Sequence, residues 1–208
     1  MNEVDPYSTG QKMRRKQAEK EEQKLVEQPS NVQARTKLLG YYGNRLFDNV
    51  DCKKKYIEHC LWIIANNPTC SDDLLLSYVV SKSALWCSEP EFEHAKKIWL
   101  EQIEQKPSNG LICGNAGFFI IWRDFGLGEE LLNRARALDP TSHLWPSRLH
   151  DWYFFKFRFE ADTVDQKKMY AKLCIETGRD TAKLISLPLV LEQTEECEKF
   201  LGKEGNKG

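Results

Sequence analysis

The chain has 208 residues, of which 41% are apolar and 29% are charged. This length and balance are typical of a globular domain with a sizeable core and exclude a disordered chain. Lysine and arginine total 30 against 31 for aspartate and glutamate, so there is no overall positive field to attract phosphates or anionic lipids. We therefore expect no direct nucleic-acid partner.

The seven cysteines indicate a reducing compartment. Their number is odd, they form no C-x-x-C pair, and most lie in apolar segments, where a free cysteine behaves as a small hydrophobe. The first residues lack the apolar core of a secretory signal, and no stretch reaches the roughly 18 apolar residues of a membrane span. These features predict a cytoplasmic protein that does not associate with a membrane.

Residues 1–28 form a polar N-terminal segment. From Thr9 to Gln28 nearly every residue is charged or polar, which favours a helix but leaves too few apolar positions for a buried face. Basic residues between positions 12 and 16 are followed at once by glutamates, so the charges cancel. We expect a frayed, solvated helix or arm; an arm that binds nucleic acid or a partner is the alternative.

Four prolines in similar settings divide residues 29–201. Pro29, Pro68, Pro107 and Pro140 are separated by 39, 39 and 33 residues, and such a period is typical of stacked repeats. Each of the four intervals that begin at these prolines contains two segments with apolar residues at helical spacing. No segment alternates long enough to indicate a strand. The sequence therefore predicts an all-α domain of four helical hairpins.

Local signals mark several helix ends. Ser88 with Glu91, and Thr163 with Gln166, have the spacing of capping boxes at the starts of helices. Gly178 predicts the end of a helix.

The C-terminal part contains a proline-interrupted apolar segment. Residues 184–191 (LISLPLVL) are predicted to be a connector because Pro188 disfavours a strand. A short helix over residues 194–202 then covers the last hairpin, since a terminal repeat without a neighbour exposes its inner face. Residues 202–208 are predicted to be a disordered tail.

Earlier in the chain, residues 126–128 predict a glycine turn between two helices.

The third interval resembles a tetratricopeptide repeat. That family places a small residue and an aromatic in the first helix of each repeat, and a small, a large, a small residue and a proline in the second. The matching residues are Ala116, Phe119, Gly128, Leu132, Ala135 and Pro140. The second interval keeps Ala95, Trp99 and Pro107, whereas the first and fourth match in outline. The resemblance implies four stacked hairpins in a short right-handed superhelix with a C-terminal capping helix.

The resemblance also implies a function. Proteins of this type are interaction modules or scaffolds that hold a peptide or protein segment in a concave groove, without catalysis and without a cofactor. Residues 91–109 also resemble half-a-tetratricopeptide repeats, which would imply a scaffold in a ribonucleoprotein or RNA-processing assembly. An enzyme with an unrecognised site is a third alternative. Its candidate thiol, Cys113, lies in an apolar segment that favours a core residue, and the cysteine and histidine spacings predict no metal site.

Positions counted from the four prolines define the predicted groove. In the resembled family, the place fifteen residues on from each proline looks into the groove, and the place eleven residues on lies one turn earlier on the same face. We predict an aromatic end of this groove in the last two hairpins, because aromatic anchors dominate binding energy. The predicted partner-binding residues are Asn44, Ser83, Phe118, Trp122, Asp151 and Phe155. The alternative is that the three aromatic members are buried under residues 184–191.

The cysteine pattern predicts that the fold does not depend on disulfides. Loss of a native disulfide costs about 2–5 kcal/mol, which lowers the melting temperature of a chain of this size by several degrees. We therefore expect equal melting temperatures with and without reductant, measured by circular dichroism. A marked drop on reduction would reveal a structural disulfide and contradict the reducing compartment.

Overall fold

The computed structural model describes residues 5–69 and 83–205, and all regular structure in these residues is helical. The predicted all-α class is confirmed. The chain divides into an N-terminal unit, residues 1–107 and 118–125, and a C-terminal unit, residues 108–117 and 126–208. None of the described helices is long and apolar enough to span a membrane. Most of the predicted first helix of the second interval, residues 72–86, lies outside the described residues.

The N-terminal unit contains five described α-helices, several of which begin at a capped residue. The predicted capping box before the fifth helix is confirmed, because the Ser88 N–H donates to Glu91 Oε2 at 2.6 Å. Asn31 and Asn49 cap the third and fourth helices with their side-chain oxygens. The helices are α1 (Pro6–Gln11), α2 (Arg15–Glu27), α3 (Val32–Gly43), α4 (Val50–Asn66) and α5 (Glu89–Gln105).

The N-terminal segment differs from the solvated arm predicted for residues 1–28. Both α1 and α2 pack on α3. Met13, Ala18 and Leu25 are buried, so a few apolar residues among many charged ones are enough to attach α2. The charge pattern of the segment concealed this sparse apolar stripe.

Two glycines allow α1 to approach α3 at backbone distance. A Cβ atom at Gly10 would lie 1.9 Å from the Lys37 carbonyl oxygen, and one at Gly40 would lie 2.1 Å from the Tyr7 carbonyl oxygen. Real Cβ atoms are excluded from such distances, so any larger residue at either position would push the two helices apart. The short α1 is therefore an integral part of the N-terminal unit.

A half-buried carboxylate joins α2, α3 and α4. Glu22 Oε1 accepts hydrogen bonds from the Tyr42 hydroxyl at 2.7 Å and from Lys55 Nζ at 2.6 Å. His59 Nε2 lies 3.7 Å from the same oxygen, and the His59 ring stacks on that of Tyr42. Arg35 Nη1 lies 3.3 Å from His59 Nδ1. One carboxylate thus holds side chains from three helices in fixed positions.

The C-terminal unit is built around a long central helix. That helix, α9 (Val164–Leu184), packs on α8 (Leu144–Phe155) and on α10 (Pro188–Gly205). The boundary between the two units runs through α6 (Gly110–Ile120), between Gly117 and Phe118. The predicted capping box at the start of α9 is confirmed, since the Gln166 N–H donates to Thr163 Oγ1 at 3.2 Å. The helices are α6 (Gly110–Ile120), α7 (Phe125–Leu138), α8 (Leu144–Phe155), a π-helical turn (Lys156–Glu160), α9 (Val164–Leu184) and α10 (Pro188–Gly205).

Two glycines that were predicted to end a helix or to form a turn instead lie within helices, where they allow close packing. Gly178 lies inside α9, where a Cβ atom would meet Thr194 Oγ1 at 2.2 Å. Gly128 lies in the first turn of α7, and a Cβ atom at Gly117 would meet the Gly128 carbonyl oxygen at 2.9 Å. The described glycines all lack a positive φ, so these glycines permit close helix approach and provide no left-handed turn.

The C-terminal connector is shorter than predicted. Only residues 185–187 of the 184–191 segment are non-helical, and α10 begins at Pro188, a residue that suits the first position of a helix. The predicted short helix over residues 194–202 is therefore the later part of a longer one. Of the predicted disordered tail at 202–208, residues up to Gly205 are helical and residues 206–208 lie outside the described residues.

Glu22 makes the unfolding free energy of the N-terminal unit depend on pH. Burial raises the pKa of Glu22, but the contacts with His59, Lys55 and Tyr42 outweigh it and lower the pKa from 4.5 to about 2. A lowered folded-state pKa stabilises the fold above the unfolded value, and this contribution is lost as the pH falls from about 4.5 towards 2. We expect Glu22→Gln to lose on the order of 3 kcal/mol of unfolding free energy at pH 7, measured by urea denaturation.

The same measurement on Glu19→Gln provides the control, because Glu19 is an exposed glutamate of the same helix. Glu19→Gln should follow the wild type at every pH. The difference between wild type and Glu22→Gln should shrink as the pH falls below 4.5. A constant difference from pH 7 to 2.5 would contradict the charged network.

Candidate protein-binding site

Four of the predicted partner-binding residues lie in the N-terminal unit, with unequal access to solvent. Asn44 is exposed just after α3, with its Nδ2 atom 3.4 Å from the Gln11 carbonyl oxygen. Ser83 is buried, so it cannot touch a partner in this conformation. Phe118 and Trp122 are half-buried, and their ring centroids lie 6.2 Å apart. The structure therefore brings the two aromatics together and removes Ser83 from the accessible surface.

The other two predicted residues lie on α8 of the C-terminal unit. Asp151 and Phe155 are both exposed and are four residues apart on one helix, which places them on the same face. The carboxylate and the ring are therefore available to the same partner. Their role in binding a partner stays a prediction.

Phe155 belongs to a row of three neighbouring rings that we call the aromatic ladder: Trp152, Phe155 and Phe159. The ring centroids of Trp152 and Phe155 lie 5.6 Å apart, and those of Phe155 and Phe159 lie 5.4 Å apart. Exposure increases along the ladder, from 8% at Trp152 through 37% at Phe155 to 73% at Phe159. A buried tryptophan thus supports two accessible rings.

The π-helical turn after α8 carries the outer end of the ladder. Its wide turn is closed by a hydrogen bond from the Ala161 N–H to the Lys156 carbonyl oxygen at 2.9 Å. Lys156 also pairs with Glu160 and places its ammonium group 5.2 Å from the Trp152 ring centroid. Such single π-turns are rare and often occur at functional sites. Phe159 was absent from the predicted site because apolar spacing does not reveal a π-turn.

The candidate thiol, Cys113, and a histidine, His150, are buried in the core. Cys113 is fully buried, and burial raises the pKa of its thiol, whereas reactive thiols have lowered values. His150 is also fully buried, with Nδ1 at 2.9 Å from the Cys174 carbonyl oxygen and Nε2 at 3.0 Å from Gln193 Oε1. These contacts give His150 a role in joining α8, α9 and α10.

The aromatic ladder can bury apolar groups of a partner, and its charged neighbours can orient them. Two exposed phenylalanine rings supply dispersion and hydrophobic contacts, which dominate interfaces. Asp151 supplies an acceptor on the same face of α8. No protein-family model, curated protein or solved structure matches this chain.

The exposure of Phe159 predicts that its ring contributes little to folding. We expect Phe159→Ala to change the free energy of unfolding by less than about 0.5 kcal/mol, as substitutions at exposed positions usually do. Phe157, two residues earlier in the same turn, is buried, and Phe157→Ala should cost about 3–5 kcal/mol. The free energy of unfolding of both variants is measured by urea denaturation. Equal losses of free energy in the two variants would place Phe159 in the core.

Proposed function

We propose that this chain is a protein-binding module that uses the aromatic ladder as its contact surface. The observation that carries the proposal is the exposure of Phe155 and Phe159, two neighbouring rings held at the end of α8 and in the π-turn that follows it. Large rings that do not contribute to the core are costly to leave in water and typically mark interaction sites. Because Trp152 fixes the inner end of the ladder, the surface is preorganised for binding.

The proposal includes a repeat architecture of the tetratricopeptide type. Its support is the packing in the third interval, where Ala116, Leu132 and Ala135 are buried and Gly117 meets the Gly128 backbone. Small residues at these positions serve the close helix approach that the family pattern requires. In such an architecture the first helix of each repeat presents residues to a partner, and α8 would be the first helix of the fourth repeat.

The test is capture of partners from an extract of the native cells. Immobilised wild type and the Phe155→Ser/Phe159→Ser variant are compared by quantitative mass spectrometry. We expect the proteins retained by the wild type to fall about tenfold or more in the variant, because aromatic anchors of this kind carry most of the binding energy. Asp151→Lys should reduce capture by a smaller factor, since it changes the charge beside the anchor.

The control is Phe47→Ser, which removes an exposed ring of the N-terminal unit. That variant should capture the same proteins as the wild type. Melting curves confirm that each variant is folded. Undiminished capture by the folded Phe155→Ser/Phe159→Ser variant would overturn the ladder as the binding surface.

A further inference from the structure

A second surface of the C-terminal unit combines aromatic rings with an excess of positive charge. It is a cleft of about 380 Å³ between the π-turn, the first turn of α9 and the C-terminal half of α10. We call it the cationic cleft. The lining residues are Phe157, Arg158, Lys167, Glu196, Lys199, Phe200 and Lys203.

The charges of this cleft do not cancel. Four of its lining residues are cationic and one is anionic, which leaves a surplus of three positive charges in a chain whose formal net charge is -1. The single carboxylate, Glu196, is engaged by Arg158 at 2.8 Å. Lys199 lies 3.5 Å from Glu195 in an exposed pair, which contributes little. Lys167 and Lys203 have no ion pair with any side chain that the structure describes.

The floor of the cleft is aromatic. The ring of Phe157 meets that of Phe200 with centroids 5.3 Å apart and an interplanar angle of 65°. Phe157 is buried, whereas Phe200 is partly accessible. A group that enters the cleft therefore meets an apolar base with ammonium groups around it, and the low-dielectric base strengthens the attraction of those groups for an anion.

We propose that the cationic cleft binds an acidic segment of a protein partner that carries one apolar side chain between carboxylates. The side chain lies on Phe157 and Phe200, and the flanking carboxylates pair with Lys167, Lys199 and Lys203. The volume matches one large side chain with its neighbouring backbone. The inference rests on the proposed function, because a protein partner supplies the segment, but it concerns a surface distinct from the aromatic ladder.

Charge and shape favour a peptide over the other anionic ligands. A nucleic acid needs a row of phosphate contacts along an extended positive face, and the acidic residues Glu195 and Glu198 lie beside this cleft on α10. An anionic membrane attracts a broad basic surface, whereas these cations surround one concave site. An extended acidic peptide can place an apolar side chain in the cleft and keep its carboxylates at the rim.

The probe is a fluorescein-labelled peptide with four aspartates on each side of one phenylalanine, and binding is followed by fluorescence anisotropy. We expect Lys167→Glu/Lys203→Glu to weaken binding about tenfold or more, because it replaces two attractive contacts with repulsive ones. A peptide with serine in place of phenylalanine should also bind several-fold more weakly, since it loses contact with the aromatic floor. Raising the salt from about 50 to about 500 mM should weaken wild-type binding.

The matched control is Lys54→Glu/Lys97→Glu, which makes the same change in net charge at two exposed positions of the N-terminal unit. This control should bind the peptide as the wild type does. Equal weakening in both double variants would assign the effect to the overall field and overturn the cleft. Absence of peptide binding at low salt would also overturn it. So would binding of a nine-residue oligothymidylate or of phosphatidylserine vesicles by a protein that does not bind the peptide.

The Phe155→Ser/Phe159→Ser variant separates this inference from the proposed function. It should bind the acidic peptide with unchanged affinity while losing partners from the extract. If the variant binds the acidic peptide and also captures the same partners from the extract as the wild type, the proposed function is overturned and the cleft is supported. Loss of peptide binding in the ladder variant would show that the two surfaces are one site and overturn the inference as stated.

Discussion

Close helix approach at glycine is the constraint on which both units depend. In the N-terminal unit, Gly10 and Gly40 bring the backbones of α1 and α3 together, so a six-residue helix is held by backbone contact. In the C-terminal unit, Gly178 leaves room for Thr194 of α10 and for the His150 ring of α8. These contacts fix α9 between its two neighbours. The ladder and the cleft are both built on the elements held in this way.

The π-turn gives the end of α8 two chemically different faces. Phe155 and Phe159, four residues apart, contact each other and are exposed to solvent, while Phe157 between them faces the protein and meets Phe200. Because side chains four apart share a helix face and those two apart do not, one short segment can support both an exposed anchor and a buried floor. The hydrogen bond that closes the wide turn keeps both faces in register.

The two surfaces differ in the forces that they offer a partner. The ladder presents apolar rings, whose contribution comes from removing surface from water and is largely insensitive to salt. The cationic cleft adds charge, which accelerates encounter and selects acidic segments but weakens as ionic strength rises. A partner with an apolar anchor and a separate acidic segment could use both, and linkage of two weak contacts raises the overall affinity.

The sequence by itself determined the helical class and two helix starts. Helical spacing of apolar residues and the Ser88 and Thr163 capping boxes are local signals, because each depends on residues within one turn. Proline spacing also predicted that Asp151 and Phe155 lie one turn apart on one helix face. Only the tertiary structure decided that Ser83 is buried, that Gly178 continues a helix, and that residues 6–27 pack on α3. These outcomes depend on which side chains from distant segments meet. A short stretch of sequence does not contain that information.

The cationic cleft illustrates the same limit. Its lysines and phenylalanines come from positions 157–203, and in the sequence Lys199 and Lys203 lie among glutamates that offset their charge. Folding redistributes the charges: Glu198 pairs with Arg179 of α9, while Lys167 of α9 is brought to the same cleft as Lys199 and Lys203. Composition determined that the whole chain is nearly neutral. The tertiary structure alone decided where that neutrality breaks down, because local charge depends on distance in space.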